Sequence, residues 1–123
     1  MANPNIVAVT AIYGTTTYLT PSNTTANVLL SNAASSGLVY KINQIVAANV
    51  TGSAANVTVT INNAAAGGGT AYPIVSTVSV PAYASLIVVD KTTAIYLMEN
   101  QSIVVTSGTS SALAYTISYE NIS

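Results

Sequence analysis

The sequence has no cysteine, no histidine, no arginine, no tryptophan and no phenylalanine. Without cysteine there are no disulfides, no thiolate metal sites and no thiol nucleophile. Without histidine and cysteine, zinc and other nitrogen- or sulfur-liking metals have no obvious ligands. Charge is almost as scarce. Lys41 and Lys91 are the only basic residues, and Asp90, Glu99 and Glu120 the only acids, giving 4% charged residues and a net charge of −1. Globular chains average about 25%. A nucleic-acid surface needs many cations to release counterions, so nucleic acid is not an expected partner. No apolar run approaches the roughly 20 residues of a membrane helix, so a membrane is not expected either. The first residues, Met-Ala-Asn-Pro-Asn-Ile-Val, lack the basic and long apolar regions of a signal peptide. Synthesis in a cytoplasm is the expectation.

Half of the 123 residues are hydrophobic, and Thr, Ser and Asn carry the polarity. That excludes a disordered polar tract. The length fits one domain, residues 1–123. Natural β-sheets guard free strand edges with charge, lysine above all. This chain has almost none to place there. Its edges are expected to be covered by loops or by other subunits, and its near-neutral surface favours association.

Short β-branched runs recur every 8 to 14 residues between turn signals (Ile6–Tyr13, Asn27–Asn32, Leu38–Val50, Asn56–Asn62, Tyr72–Val80, Leu86–Val89, Ile95–Met98, Ser102–Thr106 and Ala112–Glu120). Gly14 ends the first run, and Thr15 to Thr25 reads as a connection around Pro21-Ser22-Asn23. In Leu38–Val50, Ile42, Val46, Ala48 and Val50 are expected on one face, with Gln44 and Ile45 breaking the alternation as a bulge would. In the last run Leu113, Tyr115, Ile117 and Tyr119 share a face. Asn63–Thr70, with Gly67-Gly68-Gly69, reads as a flexible loop. About eight or nine strands without a convincing helix predict an all-β, single-domain antiparallel sandwich of jelly-roll type.

Catalysis finds little to work with. Asp90 and Glu99 flank Ile95–Met98, too far apart for a carboxylate pair unless the chain folds back. No nucleophile or phosphate-loop motif is present. No catalytic residue, cofactor or metal ligand set is expected, and the chain does not read as an enzyme. Calcium held by Asp90, Glu99 or Glu120 with loop carbonyls is a weaker alternative, because no spacing of a known calcium loop appears. Eight tyrosines are the sole aromatics. Tyr40, Tyr96, Tyr115 and Tyr119 lie in strands, where core or subunit packing is the default and glycan stacking the sharper alternative.

Four phrases carry a resemblance to a known group. They are Met1–Ile6 (MANPNI), Leu38–Asn43 (LVYKIN), Val78–Ala82 (VSVPA) and, above all, Ile95–Ser123 with YLMENQSI and SYENIS. Together they resemble small virion structural proteins of tailed bacteriophages, notably those infecting cyanobacteria, whose closing segment has the form YLEEGDSI…SYEEIS. This chain departs at Met98, Asn100, Gln101 and Asn121, and is uncharged at each. The resemblance implies a capsid cement or decoration protein on the virion exterior, made in the host cytoplasm. It would be a homo-oligomer, with a trimer expected, binding the major capsid protein and bridging capsid subunits. The alternative is a receptor- or glycan-binding module, or a tail or neck component. Residues Ala2 to Val9, within a possible N-terminal arm over 1–9, are the candidate reach to a neighbour. The candidate interface residues are therefore Asn3, Pro4, Asn5, Ile6, Tyr96, Tyr115 and Tyr119.

Overall fold

Alternating β-branched and small polar residues can bury one face of a strand only by packing it on a second sheet. The computed structural model, which describes residues 3–123, shows that solution. Nine strands form: β1 (Ile12–Leu19), β2 (Ala26–Asn32), β3 (Val39–Asn49), β4 (Ala55–Asn62), β5 (Ala71–Val80), β6 (Ser85–Val89), β7 (Ile95–Leu97), β8 (Gln101–Ser107) and β9 (Leu113–Ile122). One sheet runs β1-β9-β3-β6, with β7 also on β3; the other runs β2-β8-β4-β5. Every pairing is antiparallel. β6 pairs with residues 45–48 of β3 and β7 with residues 40–42, so the two share one edge position. Each sheet thus has four positions and the chain winds between them, the arrangement of a jelly roll. The expected sandwich is what forms.

The core lies between the sheets. Ile42, Ile45, Leu113, Tyr115 and Ile117 come from one side, and Val57, Val59, Ile103 and Val105 from the other, all without exposed surface. Each aliphatic side chain buried this way contributes about 1.5–3 kcal/mol.

Three expectations change. In β3 the pairing with β9 jumps from Ile42–Tyr119 to Gln44–Ser118, skipping Asn43. One extra residue inverts the alternation beyond it. Ile45, Ala47 and Asn49 are buried in place of Val46, Ala48 and Val50. The first strand does not run from Ile6 to Tyr13 but starts at Ile12 and passes through Gly14 to Leu19. The Asn5 carboxamide accepts from Val7 N at 2.9 Å, and Ala8 N donates to Asn5 O at 3.2 Å, so Ile6-Val7 sit in a turn. Continuous pairing with β9 holds β1 together across its glycine.

The third change concerns Asn63–Thr70, which is pinned rather than flexible. Ala65 N, Ala66 N and Gly67 N donate to Asn100 Oδ1, Ser31 Oγ and Ser102 Oγ, and Thr70 N donates to Asn63 Oδ1. Gly69 has φ +68°, and a Cβ there would fall 2.1 Å from Asn63 Oδ1.

The pins share a logic with the strand ends. β2, β3 and β4 each finish on a buried asparagine. Asn32 Nδ2 donates to Leu38 O and Leu97 O. Asn49 Nδ2 donates to Ser53 O and Val80 O, and its Oδ1 accepts from Thr51 N and Oγ1. Asn62 Nδ2 donates to Gly67 O and Gly68 O. An amide can donate twice while accepting, so one side chain satisfies loop backbone that a strand end leaves open.

Asn49→Ala strands buried carbonyls and is expected to cost about 2–3 kcal/mol in urea unfolding. Gly69→Ala, which must strain φ and displace Asn63, is expected to cost about 2 kcal/mol. Gly14→Ala is the control: its Cβ meets nothing within 4 Å, and the melt should stay within about 0.5 kcal/mol of the parent.

Candidate interaction surface

The segment before β1 crosses the end of the first sheet. Asn3 Oδ1 accepts from Glu99 N at 3.0 Å, tying the segment to the turn between β7 and β8. That turn is itself closed by Met98 N donating to Gln101 Oε1 at 2.9 Å. Between them lies an apolar groove of about 200 Å³ lined by Asn3, Pro4, Ile6, Val39, Tyr96 and Met98. Four of the candidate residues therefore meet in one place: Asn3, Pro4, Ile6 and Tyr96. Ile6, Val7, Tyr96 and Met98 are all substantially exposed around it, Val7 at 91%. Met1 and Ala2, also part of the expected arm, lie outside the described residues.

The other candidates separate. Asn5 spends its carboxamide on its own turn. Tyr119 is partly buried against the Tyr40 ring, centroids 5.0 Å apart at 46°. Burial, and secondarily Tyr40, pushes its hydroxyl pKa up. Tyr115 is corrected outright: it has no exposed surface and so nothing to offer a neighbouring subunit. Its hydroxyl bonds with Ser107 Oγ at 3.1 Å and donates to Thr106 O at 3.3 Å, inside the sandwich. Val39 and Met98 are the groove residues that sequence reasoning missed. Val39 reads as an ordinary strand residue. Met98 did carry a signal, as an apolar residue inside a polar turn.

The charged groups do not converge. Lys41 Nζ stands 3.9 Å from Glu120 Oε2 on the surface, a pair worth about 0–1 kcal/mol. Asp90 caps the 3-10 turn over Lys91–Thr93, and hydrogen bonds from Thr92 lower its pKa. Both Glu99 carboxylate oxygens are covered and make no hydrogen bond. Among the described residues no three His, Cys, Asp or Glu side chains gather as a metal site. A second cavity of about 230 Å³ is lined by Asn43, Gln44, Asp90, Lys91 and Ser118. Among the described residues no helix is long and apolar enough to cross a membrane.

Tyr115, with Tyr119, is expected to make stability sensitive to alkali. Burial disfavours the Tyr115 phenolate, so the folded chain keeps that proton to higher pH than the unfolded chain does. The stability involved is whole below the ordinary value of 10.0 and is lost as pH rises from there through the raised folded value. Urea midpoints are expected to stay flat from about pH 5 to 9, since no histidine titrates there, and to fall above about pH 10. Tyr115→Phe should reduce the alkaline fall while costing about 1 kcal/mol at neutral pH for the lost hydroxyl bonds.

Comparison with known proteins adds a structural likeness. No family profile matches the sequence, and no curated protein does. A solved chain from Bacillus endospore appendages, described as disulfide-linked pili, superposes with a TM-score of 0.53 at 16% identity. The match covers 91% of this chain and 85% of that one. At that identity the likeness concerns the fold: nearly the whole of this sandwich has a counterpart among proteins that build an appendage.

Proposed function

We propose that this protein is a non-enzymatic structural subunit, and that it is a cement or decoration protein on the capsid exterior of a tailed-bacteriophage particle. The observation that carries the structural role is the groove. Asn3, Pro4, Ile6 and Tyr96 converge on it with exposed apolar surface, whereas the charged side chains meet only as the surface pair Lys41–Glu120 and where Asp90 and Lys91 line the second cavity. A protein that works by contact needs the first arrangement and not the second. The likeness to an appendage chain supports the same role, because it too joins a jelly-roll-like sandwich to repetitive assembly. The phage assignment draws on the phrases YLMENQSI and SYENIS.

On this reading the protein binds the major capsid protein by burying neutral surface. Few ions need to be desolvated, so attachment responds weakly to salt. A second reading, an appendage subunit, draws on the solved likeness alone. Without cysteine its contacts would not be disulfides, unlike those of the disulfide-linked pili.

Quantitative mass spectrometry of purified particles tests the proposal. Hundreds of copies per particle are expected, with Ile6→Asp and Tyr96→Asp lowering occupancy at least tenfold while the isolated variants keep the parent's β-sheet circular dichroism. A dozen copies or fewer would point to a tail or neck part, and recovery only in filaments to an appendage; either would overturn the cement reading.

A further inference from the structure

The sandwich has four free strand edges, and three of them are visibly protected. β5 carries Pro73, two register shifts against β4, and Thr77 at φ +52°, all of which disrupt the ladder a newcomer would need. β6 and β7 are five and three residues long, separated by the Asp90-capped turn with Lys91. β2 is interrupted by a register shift between Val28 and Leu30. β1 is different. It pairs with β9 through eight consecutive residues without a shift, from Ile12–Ile122 to Leu19–Tyr115. It has no charge, no proline and no residue of positive φ. It ends its sheet, so its second side carries backbone donors and acceptors with no strand among the described residues beside them.

We infer that the free edge of β1 is the self-association site of this protein, where a second copy adds its own β1 antiparallel to form one continuous sheet across the pair. The inference rests on the reading of the protein as an assembly subunit and names the surface. Backbone chemistry restricts the occupant to an extended strand. The sequence of β1, Ile-Tyr-Gly-Thr-Thr-Thr-Tyr-Leu, suits a copy of itself. Two-fold symmetry with the axis through the sheet requires opposed residues to share a face, so the pairing centres on a single residue. Centred on Thr16, it sets Thr16 against Thr16, Thr15 against Thr17 and Tyr13 against Leu19. Each Tyr18 ring then lies over the other copy's Gly14. Tyr18 and Tyr13 are 80% and 67% exposed in the single chain, and the pairing covers both. No like charges meet, because β1 has none.

The test measures the full chain by sedimentation and by amide hydrogen exchange over a range of concentrations. The expected result is a dimer or higher species in which alternate β1 amides, fast at low concentration, become protected as the species forms. Thr16→Lys and Thr16→Glu place like charges directly opposite each other, so each alone should weaken association at least tenfold without lowering the melting temperature by more than a few degrees. Mixing the two should restore it, a rescue that only a self-opposed position gives. Association with β1 amides still exchanging, or unaffected by either charge, overturns the edge while leaving the subunit role intact. A monomer at every concentration overturns the edge too; the subunit role then stands or falls on the particle copy number.

Discussion

A buried carbonyl must meet a donor, and in this protein the donor is almost never a charge. That constraint organises the structure. Asn32, Asn49 and Asn62 each close a strand, and each turns its amide onto backbone oxygens of the neighbouring loops. Because each asparagine both donates and accepts, the strand ends are satisfied without ion pairs and without the desolvation those would require. The pinned Asn63–Thr70 loop extends the same device with Ser31, Ser102 and Asn100. The composition, rich in small neutral polar residues, is the chemical form of this arrangement.

The neutrality that stabilises the interior also shapes the exterior. A sandwich with one surface ion pair among its described residues presents contacts that depend on shape and hydrogen bonding more than on field. The groove at Tyr96 and the edge at β1 lie on the same sheet, linked by the segment before β1. On the proposed function the groove would take the shell and the edge a second copy. A subunit that must tile a repetitive surface gains from separating these two tasks, since neither contact then competes for the other's residues.

Much of the sandwich was legible in the sequence because period-2 alternation reports burial directly. β4, β8 and β9 lie close to where Val57-Val59-Ile61, Ile103-Val104-Val105 and Leu113-Tyr115-Ile117 place them. The failures share a cause: each depended on a partner distant in the chain. The inverted face beyond Asn43 follows from how β9 pairs with β3. The extension of β1 through Gly14 follows from β9 as well. The glycine-rich loop is ordered by Ser31, Asn100 and Ser102, and no local signal foretells that. Of the candidate surface, Asn3, Pro4 and Ile6 were readable as part of a terminal arm, and Tyr96 as a strand aromatic with core or subunit packing left open. Val39 was not, because a groove floor looks like any buried strand residue.

The place of β9 has a consequence in time. It is the ninth strand along the chain, yet it lies inside its sheet between β1 and β3. Ile12 waits for Ile122, and Val39 waits for the same residue. Until β9 has been synthesised, β1 and β3 have no bridge and expose the apolar faces and unpaired backbone that favour wrong pairings. Contacts this distant in sequence make folding slow relative to helical proteins of similar size. The nascent chain therefore spends most of its synthesis as a sparsely charged, β-rich polypeptide with no completed first sheet. Solubility in that interval rests on the same threonines and asparagines that later staple the loops.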